Sequence, residues 1–178
     1  MKKIISVILA IFAFFITYFI QLNIFNTLLI FDTKCNLFII FFVVIGLFGD
    51  KNKGFILGVF CGSLLDILIG KNIGTIAIML GMIGYFSGVL NNNFTKESRI
   101  TQIIIVFFST VIYEIGIYFF NVVFLGYPLQ ISNFMRTTII EAVYNSLLTM
   151  ILYSLILKLG NMWEESFFKN KGNGFYIK

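Results

Sequence analysis

Apolar runs long enough to cross a bilayer alternate with short polar interruptions along the whole chain. Windows of about 20 residues, the length that spans ~30 Å of hydrocarbon, give six crossings at 4–31, 35–49, 54–70, 72–90, 100–125 and 133–159. The second and third are separated only by Asp50-Lys51-Asn52-Lys53, which predicts a tight hairpin. A polar stretch from Asn91 to Arg99 follows the fourth, Gly126-Tyr127-Pro128 breaks the fifth, and 160–178 reads as a short cytoplasmic tail. The pattern predicts one all-α integral membrane domain of six transmembrane helices. The apolar run after Met1-Lys2-Lys3 is too long for a signal peptide and reads as the first of these helices.

Composition agrees and removes several chemistries. Of 178 residues, 59% are hydrophobic and 12% charged, against about 25% charged in soluble domains. The mean hydropathy of +0.97 leaves lipid as the solvent for most of the chain. There is no histidine, so imidazole-based nucleophile activation, proton shuttling and the usual mixed zinc sites lack their residue. Cys35 and Cys61 are too few for a disulfide framework and lack metal-ligand spacing, so they read as small buried apolar side chains. No nucleophile–base constellation, phosphate-cradling loop or cofactor fingerprint is present. The sequence thus predicts no enzyme, no cofactor and no metal.

The basic excess is positional and does not signal nucleic acid. Lys2, Lys3, Lys51, Lys53, Lys96, Arg99, Lys158, Lys169, Lys171 and Lys178 fall on one side of a six-crossing layout, and Lys34, Lys71 and Arg136 on the other. Since positive short loops stay inside, both termini are placed in the cytoplasm. Trp163 and the lysines at 169 and 171 fit an anchor on the anionic inner leaflet.

Within the spans, small and polar residues carry the specificity. Gly54, Gly58, Gly62, Asp66, Gly70 and Gly74 recur every four residues or at multiples of four, forming one slowly drifting helical stripe. Such a stripe admits a second helix backbone at close range. Ala77, Gly81, Gly84 and Gly88 give the next helix a matching face, the expected partner within the chain, while an intermolecular seam, including a homodimer, is the other reading. Asp66 is costly inside a crossing and calls for a partner. Arg136 enters from the same side at a similar depth, so an Asp66–Arg136 ion pair is one expectation; a local cap by Asp66 is the other. Glu114 lies near the middle of its span, and Glu141, Tyr144 and Asn145 share a helix face, as hydrogen-bonding glue or as proton carriers.

The cluster Gly-Phe-x-x-Gly-x-x-x-Gly-x-x-x-Asp from Gly54 to Asp66, with Gly70, Gly74, Gly84-Tyr85, Gln21 and Asn36-Leu37, resembles rod shape-determining protein MreD. Cys35 stands where many relatives carry proline. The resemblance implies a non-enzymatic inner-membrane subunit of the bacterial cell-elongation machinery. It would bind the bitopic protein MreC and help control peptidoglycan synthesis by RodA and its penicillin-binding transpeptidase, in step with MreB filaments. It also implies a helix arrangement similar to the substrate-binding subunits of energy-coupling-factor vitamin transporters. A transporter subunit of that kind, with Asp66, Glu114, Arg136, Glu141 and Asn145 around a small molecule, is the alternative function. It is weakened because the Ala-x-x-x-Ala docking seam of such subunits is missing from helix one, where Ala10 and Ala13 have the wrong spacing.

Overall fold

A computed structural model describes residues 2–69, 74–91 and 98–168. The helices are α1 (Lys2–Ile20), α2 (Leu37–Phe48), α3 (Lys51–Ile69), α4 (Thr75–Leu90), α5 (Arg99–Leu125) and α6 (Ile131–Phe168). No strand forms among the described residues; an isolated bridge pairs Ile30 with Thr33. The fold is an all-α membrane protein.

Four stretches are long and apolar enough to cross a bilayer: Ile8–Phe25, Lys51–Ile69, Arg99–Leu125 and Ile131–Glu164. At 1.5 Å per residue, α2 is only about 18 Å long and α4 about 24 Å. The short length of α2 follows from its position. It contacts all five other helices, and ten of its 12 residues are buried. A helix enclosed by protein has no lipid thickness to match. Phe42, Val43, Leu47 and Phe48 form the centre of the core, with Phe14 of α1, Leu65 of α3, Leu80 of α4 and Val106 of α5 around them.

Two boundaries depart from the sequence reading. The first crossing ends as a π-helical turn, Gln21–Phe25, rather than continuing to 31. A tight turn follows, in which Ile30 and Thr33 exchange backbone hydrogen bonds of 3.0 and 2.9 Å. Phe31 and Asp32 between them take left-handed φ values of 50° and 62°. At the other end, the tail expected from 160 is helical through Phe168. This segment contains no proline, and it packs on the bundle: a Cβ on Gly160 would fall 2.6 Å from the Phe48 ring, and one on Gly49 would fall 3.2 Å from the Trp163 indole nitrogen. Gly70, Lys71 and 169–178 lie outside the described residues.

Candidate functional site

The small-residue faces of α3 and α4 meet each other. A Cβ on Gly58 would lie 2.5 Å from the Leu80 carbonyl and 2.7 Å from the Gly81 Cα; on Gly62, 2.5 Å from the Ala77 Cα; on Gly88, 2.5 Å from the Lys51 Cα. Gly54 and Gly84 touch backbone to backbone, and Gly81 receives the Val59 side chain. Distances this short leave room for hydrogen and nothing larger. The seam proposed for a second polypeptide is therefore filled by the chain's own α4. Gly46 of α2 joins the same contact, its Cβ position 2.5 Å from the Gly84 carbonyl. A single glycine in an apolar run gave no sequence signal for this.

At the end of the seam sits Asp66, 2% exposed. Its Oδ2 accepts from the backbone N–H groups of Gly74 and Ala77, both at 3.0 Å, and its Oδ1 from Ile76 at 3.1 Å. These are donors that the first turn of a helix cannot satisfy internally. One carboxylate meets three of them and the positive end of the helix dipole together. Gly74 makes the convergence possible: its φ of 98° is a left-handed conformation that costs glycine little. The expected Asp66–Arg136 ion pair is replaced by this cap, and Arg136 is exposed on α6. The first turn of α4 supplies three amide donors to one carboxylate, donors that the helix itself cannot satisfy.

The start of α2 is capped by a different chemistry. The Leu37 N–H donates to Gln21 Oε1 (2.9 Å), the Asn36 N–H to Asn145 Oδ1 (2.8 Å) and the Phe38 N–H to Asn36 Oδ1 (3.2 Å). Gln21 Nε2 then donates to the Cys35 carbonyl at 2.8 Å, and Asn145 Nδ2 to Thr110 Oγ1 at 3.0 Å. Asn145 is fully buried, and it ties α2, α5 and α6 at one level. That level is deep. Counting along α6 from Ile131 or along α5 from Leu125, it lies about 21 Å from the loop that joins α5 and α6.

The remaining candidates lie around this level. The carboxyls of Glu141 on α6 and Glu114 on α5 are close neighbours. The Tyr144 hydroxyl reaches the Leu28 carbonyl at 3.4 Å. Above them, Tyr118 and Phe134 stack with centroids 4.2 Å apart. Thr110, Gln21 and Asn36 complete the network; the first was invisible to sequence reading because a threonine in a membrane helix is common. Thr33 and Cys35, 5% and 1% exposed, fold over the start of α2 and close the interior from that side. Both cysteines are buried and free.

The arrangement is that of a helical integral membrane protein in which Asp66, Gln21 and Asn145 accept hydrogen bonds from its own backbone. Among the described residues no group of three or more cysteine or acidic side chains is placed to hold a metal ion. The chain belongs to the rod shape-determining protein MreD family, whose model matches residues 1–162. No curated protein and no solved structure matches the chain significantly. Membership makes it a rod-shape-determining membrane protein, of a family known for determining shape and not for catalysis.

Proposed function

We propose that the protein is a non-enzymatic subunit of the rod complex in the bacterial inner membrane, with both termini cytoplasmic, that binds the transmembrane helix of MreC. Through MreC it influences RodA, its transpeptidase partner and, indirectly, MreB. Family membership supports the class, and the closed interior supports a role exerted at the surface. Asp66 and Asn145, which a solute site would need, are occupied by backbone amides, and the protein's own loop covers α2.

The observation that carries the docking face is a groove on the lipid side of the α3–α4 pair, behind the glycine seam. It encloses about 480 Å³ between Asn52, Phe55, Ile56, Met82, Tyr85 and Phe86. The Phe55 and Tyr85 rings form one wall edge to face, centroids 6.4 Å apart. An apolar groove between two helices is the shape that receives a third. Because the seam brings α3 and α4 backbones unusually close, the groove is backed by rigid main chain.

The test is capture of MreC from gently solubilised membranes by the Ile56→Trp variant. A side chain that fills the groove lowers co-purified MreC about tenfold, while melting temperature stays at the parent value. Undiminished capture by a variant of unchanged stability would refute the docking face, and absence of MreC from the parent preparation would refute the function.

A further inference from the structure

We infer that the groove between α5 and α6 holds an acyl chain of an anionic phospholipid, with the Arg99 guanidinium binding its phosphate. The site shares no residue with the α3–α4 groove and does not depend on MreC binding.

The groove encloses about 260 Å³, and its walls include Ile103, Phe107 and Phe108 of α5 and Val143, Leu147 and Met150 of α6. It opens to the outside of the bundle: Phe108 is 60% exposed, Leu147 53% and Met150 57%. Among the described residues, Ser146 supplies the one hydroxyl of the lining, and that hydroxyl donates to the Ala142 carbonyl at 2.7 Å. The groove therefore takes hydrocarbon and offers a polar ligand nothing.

At one end both walls change character. Arg99 lies one helical turn before Ile103, and Tyr153 one turn after Met150. The two meet across the helix pair, with the guanidinium carbon 4.6 Å from the Tyr153 ring centroid, a cation–π contact that holds an exposed side chain in place. Arginine combines such stacking with paired hydrogen bonds to phosphate. No carboxylate pairs with Arg99 among the described residues, so its charge is available. Arg99 is also the first residue of α5, and the side chain of the N-cap Ser98 makes no capping bond. The positive end of the helix dipole adds to the same point.

The dimensions fit one leaflet. Arg99 to Phe108 is about 14 Å along α5 and Tyr153 to Val143 about 15 Å along α6, half of the ~30 Å of hydrocarbon. A phosphate at Arg99 thus lays its acyl chain along the whole groove. The slot alone would take any lipid, and the charge at its mouth selects among them, as basic sites between membrane helices select anionic head groups. Phosphatidylcholine carries the same phosphate, but its own ammonium competes for it. In the orientation proposed above this end meets the anionic inner leaflet, although the site itself needs no particular orientation.

The test is native mass spectrometry of the full chain in detergent, titrated with dioleoylphosphatidylglycerol or dioleoylphosphatidylcholine, which share their acyl chains. The first phosphatidylglycerol is expected to bind about fivefold more tightly than phosphatidylcholine. Arg99→Gln abolishes that preference, whereas Arg136→Gln, which removes an equal charge near the other end of α6, leaves it intact. Met150→Trp fills the slot and weakens phosphatidylglycerol binding severalfold; should it give no monodisperse protein, Leu147→Trp makes the same test. Equal binding of the two lipids by the parent, a preference that survives Arg99→Gln or is lost as fully in Arg136→Gln, or affinity untouched by a tryptophan in the slot would each overturn the inference.

Discussion

Two helices, α2 and α4, are too short to cross the membrane unaided, and each begins inside the bundle with its first N–H groups needing partners. The start of α4 is met by one charged side chain from the preceding helix, Asp66, accepting three backbone bonds. The start of α2 is met by neutral amides from three separate places: Gln21 after α1, Asn36 at the cap itself, and Asn145 on α6. The requirement is the same, because a bare N–H in a region without water costs several kcal/mol. The solutions differ in what they tie together. Asp66 fastens a local hairpin, eight to 11 residues apart in sequence. Asn145 reaches 109 residues back to Asn36 and 35 to Thr110, so it fixes the relation of α2, α5 and α6. One cap sets a pair of helices, and the other sets the bundle.

The comparison breaks most sharply at Asp66. Asp66→Ala leaves three donors without partners and is expected to cost about 4 kcal/mol, read as a fall in the denaturant midpoint of the purified protein. Asp66→Asn keeps one accepting oxygen, which retains Gly74 and Ala77 but turns an NH2 group toward Ile76. Its expected cost is about 2 kcal/mol. A loss in Asp66→Asn equal to that in Asp66→Ala would mean that charge, and not the number of bonds, carries the cap.

Next in size is Asn145→Leu, which frees the Asn36 N–H and the Thr110 hydroxyl for about 2–3 kcal/mol. Because its bonds join distant helices, this variant should loosen the whole bundle, whereas Asp66→Ala should loosen α3–α4 first. Hydrogen exchange resolves the two: increased exchange in α2, α5 and α6 for the first, and in α3–α4 for the second. Identical exchange maps would erase the distinction. Gln21→Leu removes one acceptor at the Leu37 N–H and one donor to the Cys35 carbonyl, for about 1–2 kcal/mol, measured as the same midpoint shift.

How far the sequence revealed these two caps follows from their chemistry. Asp66 stood out because a carboxylate in an apolar run is rare and expensive, and the glycine spacing before it marked the surface that α4 covers. A local cap was one of two readings open for it, but which amides it would cap was not legible, since backbone amides carry no letter. Arg136, a visible cation at a similar depth, supplied the competing reading. At α2 the legible features were Gln21, Asn36 and Asn145 as separate polar residues in separate spans. Nothing local connects them, because the connection is made by the fold across more than a hundred residues. The helix count and the pairing of the glycine faces were legible, since each rests on periodicity within one segment. The end of the first crossing at Phe25 was not: Leu28 to Phe31 is as apolar as the helix before it, and the reversal depends on Phe31 and Asp32 taking left-handed backbone that neither residue type advertises.

The smallest effect belongs to Arg136, and it sharpens the comparison by elimination. An ion pair with Asp66 would make Arg136→Gln nearly as damaging as losing the carboxylate, because one buried charge would be left unmatched. In the structure Asp66 keeps all three of its bonds without any contribution from Arg136, whose side chain is exposed on α6. Arg136→Gln is therefore expected to change stability by less than about 0.5 kcal/mol, the range of an exposed substitution away from caps and cores. The double variant Asp66→Ala/Arg136→Gln should then match Asp66→Ala alone, since the two positions share no partner and their effects add. A double variant more stable than Asp66→Ala by a full kcal/mol would show that the guanidinium senses the carboxylate, and the cap at α4 would have to be rebuilt as a charged pair reaching across to α6.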